Sequence, residues 1–138
     1  MTILTKEKNF KIHNLIEPGF SADSSFDKKN YKGGSFGHCT IVSMFLYSYF
    51  GGQLVSTKSE GISHWYNRLA LLDNSLVDVD LTGDQFGHEA VRIVPAEQLY
   101  KKSKIRKPIE INAETIDRYV AFIEKIQPVD ILYKIADI

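Results

Sequence analysis

Residues 37–52 read GHCTIVSMFLYSYFGG and hold the only cysteine of the chain. Apolar and aromatic side chains lie on most sides of a helix drawn through this stretch, whereas a surface helix carries them on one side. The β-branched and aromatic content would also suit a buried strand, but the length of the run favours a helix. The glycine pair at its end is a typical helix stop. The stretch therefore predicts a central buried helix from about Gly37 to Phe50, covered by a sheet.

Cys39 falls in the first turn of this predicted helix, directly after a glycine-rich turn. The first N–H groups of a helix have no partner within it and the helix dipole is positive there, so a thiolate is favoured over a thiol. A cysteine in this position is a candidate nucleophile. The alternative is structural, because a free cysteine is often buried and behaves as a small apolar side chain. A nucleophile would also need a base and a group that orients that base.

Three segments after the helix have the composition of strands, and they cover residues 53–57, 62–72 and 75–81. A turn at residues 73–74 predicts that the last two form an antiparallel hairpin. A strict two-residue loop would place His64 and Asp80 on opposite faces of the sheet. An odd loop or one bulge would instead place Tyr66 or Arg68 opposite Asp80, and His64 would then share the face of Asp80.

His64 and Asp80 are accordingly the candidate base and orienting group for Cys39. Asp78 has the same parity as Asp80, but it lies farther from His64 along the strand and is the poorer partner. His64 could also be a core histidine whose ring nitrogens are satisfied by the backbone. The two aspartates could bind a divalent cation, although no third carboxylate stands at a known ligand spacing.

A zinc site is a further alternative, because zinc accepts both thiolate and imidazole donors. The available donors would be Cys39, His38, His64 and His88. The sequence contains neither Cys-x-x-Cys nor His-x-x-x-His, and the side chains of His38 and Cys39 would diverge on a helix. We therefore expect no metal and no other cofactor.

The remaining segments complete an expected α+β fold. Residues 9–16 could form a short strand or a turn of helix, and 91–94 a strand. Pro95 is expected to begin a short helix that extends through Lys102. Asn112 can cap a second helix that ends before Pro128, and residues 129–135 alternate well enough for a last strand. No internal repeat or linker divides the chain, so we expect a single domain over residues 1–138.

The overall composition excludes several classes of function. Seventeen basic residues balance seventeen acidic residues among 138, so the chain has no global field that would attract nucleic acid or an anionic membrane. The basic run 101–107 is explained better as a solvated helix end than as a phosphate contact. We see neither a signal peptide nor a membrane-spanning run, and one cysteine forms no internal disulfide. These features predict a cytoplasmic protein.

Four motifs occur in order and at compact spacing, namely Gly37-His38-Cys39, Tyr49-Phe50-Gly51-Gly52-Gln53-Leu54, Ser63-His64-Trp65-Tyr66-Asn67-Arg68 and Val79-Asp80-Leu81-Thr82-Gly83-Asp84-Gln85-Phe86. Over residues 37–87 this pattern resembles the YunG-like family of small bacterial proteins. That family is itself similar to papain-fold and transglutaminase-like cysteine enzymes. The resemblance implies a papain-like or transglutaminase-like fold, in which a central helix bearing the cysteine packs on an antiparallel sheet. It also implies Cys39 as nucleophile, His64 as general base and acid, and Asp80 as the orienting group.

The expected function is a cysteine-dependent hydrolase or acyl transferase that acts on an amide or thioester of a small-molecule or peptide substrate. The oxyanion would be met by the Cys39 backbone N–H and a second donor, His38 or the loop 33–37, with Gln85 as a weaker candidate. Trp65 could be a substrate wall or part of the core. The alternative function is a non-catalytic binding or protein-interaction module with the same papain-like scaffold. The sequence leaves the oligomeric state open.

Overall fold

A computed structural model describes residues 6–70 and 74–126. These residues form an α+β fold with three α-helices and a five-stranded antiparallel sheet. The helices are α1 (Lys6–Ile16), α2 (Cys39–Phe50) and α3 (Ala113–Ile126). The strands are β1 (Gln53–Ser59), β2 (Ile62–Ala70), β3 (Leu76–Asp80), β4 (Arg92–Pro95) and β5 (Lys104–Arg106). Short 3₁₀ helices cover Glu17–Gly19, Gly83–Phe86 and Pro108–Glu110. The sheet order is β4-β3-β2-β1-β5.

Helix α2 lies at the centre of the hydrophobic core and contacts both β2 and α3. Its residues Ile41 and Phe45 are fully buried. The rings of Phe45 and Phe122 of α3 lie 6.4 Å apart. On β2, Asn67 donates from Nδ2 to the carbonyl oxygen of Ser43 at 3.0 Å. Each fully buried large apolar side chain contributes about 1.5–3 kcal/mol. The predicted central helix packed on a sheet is thus confirmed.

The predicted ends of the two principal helices are also confirmed within the described residues. Gly51 terminates α2 with a φ of 70°, and its N–H donates to the carbonyl of Tyr47 at 3.0 Å. Asn112 caps α3, because its Oδ1 accepts from the N–H of Thr115 at 2.8 Å. Pro128 and the strand predicted at 129–135 lie outside the described residues.

The pairing of β2 with β3 settles on which faces of the sheet the hairpin residues lie. Asn67 pairs with Val79 and Ala70 with Leu76, so the loop between the last paired residues contains an odd number of residues. Continuing this register places Tyr66 opposite Asp80. Because side chains alternate along a strand, His64 shares the face of Asp80. This is the odd-loop arrangement of the two that the sequence allowed.

The helix predicted from Pro95 to Lys102 is wrong. Pro95 is the last residue of β4, and the chain then runs as a loop to β5. Glu97 has a φ of 72°, in the left-handed region that a right-handed helix excludes. Its N–H donates to Oδ2 of Asp78 at 2.9 Å, which fixes this conformation. The basic run is therefore a loop and an edge strand rather than the end of a helix.

The N-terminal segment, for which a strand or a turn of helix was considered, forms α1. Ile12 and Ile16 of α1 are fully buried and belong to the hydrophobic core. The short 3₁₀ helix Glu17–Gly19 continues α1 and contacts α3. Across residues 6–70 and 74–126, we find no helix with the length and apolar character that crossing a membrane requires.

Candidate active site

Cys39 is the first residue of α2 and lies on the wall of a cavity of about 310 Å³. The turn before it is closed by Gly37, whose φ of 74° is in the left-handed region. A side chain at this glycine would collide with Ser25, because an added Cβ would stand 2.2 Å from the Ser25 hydroxyl oxygen. The glycine therefore permits the chain to enter α2 with Cys39 partly exposed at the cavity.

His64 and Asp80 form a buried hydrogen-bonded pair. The Nε2 atom of His64 lies 2.8 Å from Oδ2 of Asp80, and both side chains are almost completely buried. A carboxylate only accepts, so Nε2 carries the proton of this hydrogen bond. Nδ1 is then the ring nitrogen that remains for the thiol. The structure thus brings His64 and Asp80 together, as expected for the odd hairpin loop that places both on one face of the sheet.

Asp80 is itself held by groups that stabilise its negative charge. Its Oδ1 accepts from the N–H of Thr82 at 2.9 Å, and its Oδ2 accepts from Nη2 of Arg92 at 3.1 Å. Burial raises the pKa of Asp80, but the hydrogen bond and charge of His64, with help from Thr82 and Arg92, hold it below the usual value. Asp80 is therefore a fixed anion at neutral pH.

Cys39 and His64 lie close enough for each group to change the pKa of the other. Burial raises the pKa of the Cys39 thiol, but the effect of His64, together with the Trp65 backbone and the Thr40 hydroxyl, holds it below its ordinary value. Burial lowers the pKa of His64, but hydrogen bonds with Asp80 and Cys39 raise it to about 9. The arrangement favours a thiolate–imidazolium pair at neutral pH.

Gln85 bridges the histidine and the loop that precedes Cys39. Its Nε2 lies 3.4 Å from Nδ1 of His64 and donates to the Thr82 hydroxyl at 3.1 Å. Its Oε1 accepts from the N–H of Gly37 at 3.3 Å. Gln85 also lines the cavity. Its amide is therefore positioned beside both the imidazole and the entrance to α2.

His38 faces the core and is fully buried. Its Nδ1 lies 2.8 Å from the carbonyl oxygen of Phe36, and its Nε2 lies 2.7 Å from the hydroxyl of Ser24. Since a carbonyl only accepts, Nδ1 is protonated and Nε2 accepts from Ser24. The backbone N–H of His38 donates to Ser35. The structure therefore does not bring the donor groups of His38 to the cavity.

Trp65 lines the same cavity as Cys39. The Arg106 guanidinium lies over its ring, with the central carbon 5.4 Å from the ring centroid. Two exposed apolar residues also line this cavity, since Phe26 is 71% exposed and Ile62 is 60% exposed. Trp65 thus contributes to an apolar wall beside the thiol.

Arg118 of α3 is a site residue that the sequence did not reveal. It is 5% exposed and lines the cavity. Its Nη1 donates to the carbonyls of Ser24 and Gly37, both at 3.3 Å, and its Nη2 donates to the Thr115 hydroxyl at 3.1 Å. Arg118 therefore ties α3 to the turn before Cys39. An arginine on a distant amphipathic helix carries no motif that would have identified it.

An aromatic cage around His64 was likewise not expected from the sequence. Phe86 packs edge-on against the imidazole at 4.9 Å between centroids, and Tyr100 does so at 5.7 Å. The Tyr100 hydroxyl accepts a hydrogen bond from Arg92. The only available signal was the position of Phe86 in the motif after Asp80. These contacts fix the ring orientation that the hydrogen bonds require.

Fold and site together define an α+β protein with a cysteine at a helix start beside a histidine–aspartate pair. The chain matches the YunG protein family over residues 8–128 and belongs to that family. The family expected from the motifs is thus confirmed. No curated protein and no solved structure matches the chain. Over residues 6–70 and 74–126, no group of three or more His, Cys, Asp or Glu residues is placed to hold a metal ion.

Proposed function

We propose that the protein is a cysteine-dependent hydrolase or acyl transferase with a Cys39–His64–Asp80 triad. The observation that supports this most is the buried hydrogen bond between His64 and Asp80, in a position from which His64 lowers the pKa of Cys39 at the cavity wall. A base in contact with the nucleophile and oriented by a third group is the arrangement that nucleophilic catalysis requires. We also propose a papain-like or transglutaminase-like structural class, because the helix that begins at Cys39 precedes the strands that carry His64 and Asp80.

In the proposed reaction, the Cys39 thiolate attacks the carbonyl carbon of an amide or thioester and forms a C–S bond. The His64 imidazolium gives its Nδ1 proton to the departing amine or thiol as the original acyl bond breaks. The neutral His64 then takes a proton from water or an acceptor amine, which attacks the thioester on Cys39. Collapse releases the product and restores the thiolate–imidazolium pair.

Stabilisation of the oxyanion is the second requirement of such a reaction. We propose the backbone N–H of Cys39 and Nε2 of Gln85 as the donors. Gln85 is better placed than His38, because Gln85 lines the cavity and His38 is buried in the core. The apolar residues on the cavity wall fit a small-molecule or peptide substrate with an apolar group near the reacting carbonyl.

Acylation of Cys39 by p-nitrophenyl acetate tests the proposal without a known substrate. Intact mass should show one acetyl group on Cys39, followed by its loss as water deacylates the enzyme. His64→Gln should slow acylation by at least ~10-fold, since general acid–base groups typically contribute 10²–10⁴-fold. His88→Gln is the matched control, because His88 is exposed in the loop after β3.

The alternative function is a binding module that keeps this scaffold without turnover. The exposed Phe26 and Ile62 at the cavity favour a bound apolar group under either function. Thiol reactivity separates the two possibilities. If Cys39 acylates equally fast in the wild-type protein, His64→Gln and His88→Gln, the enzymatic proposal fails and the binding module remains.

A further inference from the structure

A basic groove runs along the edge of the sheet formed by β1 and β5. It encloses about 460 Å³. The residues that line it and matter here are Ser56, Lys58, Ser63, Lys102, Lys104 and Arg106. The volume lies in the range of roughly 300–1,000 Å³ that is common for small-molecule sites. The chain as a whole has a net charge of +0, so the cluster of four cations does not follow from composition.

The strand register places this basic groove on the same face of the sheet as the wall of the Cys39 cavity. Ser56 of β1 pairs with Trp65 of β2 on one side and with Lys104 of β5 on the other. Directly paired residues project from the same face, so these three side chains form a row across the sheet. Ser63 lines both the basic groove and the cavity. The two depressions are therefore adjacent.

Three of the four cations in the basic groove form no ion pair within the described part of the chain. Arg106 donates to Glu110 at 2.9 Å and to the Ser56 hydroxyl at 2.7 Å, so its charge is compensated. Lys58, Lys102 and Lys104 are exposed, and none of them forms an ion pair with a carboxylate within the described part of the chain. Three lysines that line one concave surface raise the local concentration of anions.

We propose that the basic groove binds a phosphate-type polyanion, which is part of a substrate whose acyl group reaches Cys39. Ammonium groups beside serine hydroxyls provide the charge-assisted and neutral donors that phosphate oxygens accept. The link to Cys39 rests on the proposed function, whereas binding of the anion does not. The phosphate could belong to a free metabolite or to a phosphorylated group on a larger carrier, since both present the same oxygens.

The only tryptophan of the chain reports on this groove directly. Trp65 stands in the row with Ser56 and Lys104, and Arg106 lies over its ring. Titration of the full chain with pyrophosphate at constant ionic strength should therefore change its fluorescence. Calorimetry of the same titration detects binding independently. A Cys39→Ser variant should bind equally well, so that this result is separate from the test of catalysis.

The decisive comparison is between a variant that loses two positive charges in the basic groove and a control variant that loses two positive charges elsewhere. Lys102→Gln with Lys104→Gln should weaken pyrophosphate binding at least ~10-fold, the effect of losing about 1.4 kcal/mol of binding free energy. Lys28→Gln with Lys29→Gln makes the same change in net charge on the exposed loop before α2 and should leave binding unchanged. Inorganic phosphate and coenzyme A, added separately, distinguish a free anion from a carried one.

Three results would overturn the proposal. The first is the absence of both heat and a fluorescence change with pyrophosphate. The second is an equal loss of affinity in the two double variants, which would indicate general attraction by net charge. The third is tighter binding of a triglutamate peptide than of pyrophosphate, which would assign the basic groove to an acidic polypeptide.

Discussion

Asp80→Asn tests whether one carboxylate controls the reactivity of Cys39. The substitution keeps the shape of the side chain but removes the charge 2.8 Å from Nε2 of His64. The pKa of His64 is raised from 6.5 to about 9, a difference of about 3 kcal/mol. Asp80 and Cys39 share this effect. Loss of Asp80 therefore lowers the pKa of His64, and each unit by which it falls reduces the equilibrium constant between the thiolate–imidazolium pair and the neutral pair ~10-fold.

The assay is the rate of Cys39 alkylation by iodoacetamide between pH 5 and pH 9, measured by intact mass. An ordinary thiol with a pKa of about 8.5 is only roughly 0.3% ionised at pH 6. The native thiol should react at least ~10-fold faster at that pH than the same thiol in urea-unfolded chain, even though a lower pKa reduces intrinsic nucleophilicity. Asp80→Asn should move the rising limb of the profile to higher pH, because a less basic His64 stabilises the thiolate less.

Asp78→Asn provides the control for damage to the fold. Asp78 is fully buried on the same strand, and its Oδ1 accepts from Nε of Arg68 at 2.7 Å. Breaking either buried pair is expected to destabilise the protein by about 3–5 kcal/mol. Only Asp80→Asn should change the alkylation profile. The reasoning is refuted if both variants shift the profile equally, or if the wild-type thiol reacts at pH 6 no faster than in the unfolded chain.

Three further outcomes are expected. Because the pKa of buried His38 is lowered to about 4, the unfolded chain takes up a proton below pH 6.5 that folded His38 refuses. The free energy of unfolding measured in urea should therefore fall by about 3 kcal/mol from pH 6.5 to pH 4. His38→Gln should reduce this dependence on pH. Gly37→Ala should lower the free energy of unfolding by roughly 1–3 kcal/mol in the same assay. The loss should exceed that of Gly33→Ala, because a Cβ added at Gly33 meets nothing within 4 Å. Arg118→Lys should lower the free energy of unfolding by about 1–3 kcal/mol, because lysine lacks the planar guanidinium that donates to the carbonyls of Ser24 and Gly37.

The sequence was sufficient for features that depend on local chemistry. Helix α2 was predictable because its apolar run is too long for a strand and ends at Gly51, and α3 was predictable because Asn112 can cap it. Cys39 could be placed at a helix start for the same reason. These signals act within a few residues of one another, so tertiary contacts do not override them.

Features that depend on contacts between distant segments were not predictable. The loop after β4 shows this, because Pro95 favours the start of a helix but Asp78 binds the N–H of Glu97 and holds it in a left-handed conformation. Arg118 is a second case, since nothing near it in the chain indicates that it binds Gly37. The parity of the hairpin loop was a third, and only the register of β2 and β3 decided it.

The two buried aspartates of β3 also bear on why the His64 pair should be functional. Asp78 satisfies a bidentate Arg68 and the N–H of Glu97, which is enough to explain it as a structural ion pair. Asp80 accepts from Arg92 and in addition from His64, whose other ring nitrogen lies 3.4 Å from the amide nitrogen of Gln85. Buried ion pairs often stabilise a fold no better than apolar side chains of similar size. Stability alone therefore accounts poorly for an imidazole at this position, whereas the proposed role of His64 in keeping Cys39 ionised accounts for its pairing with Asp80.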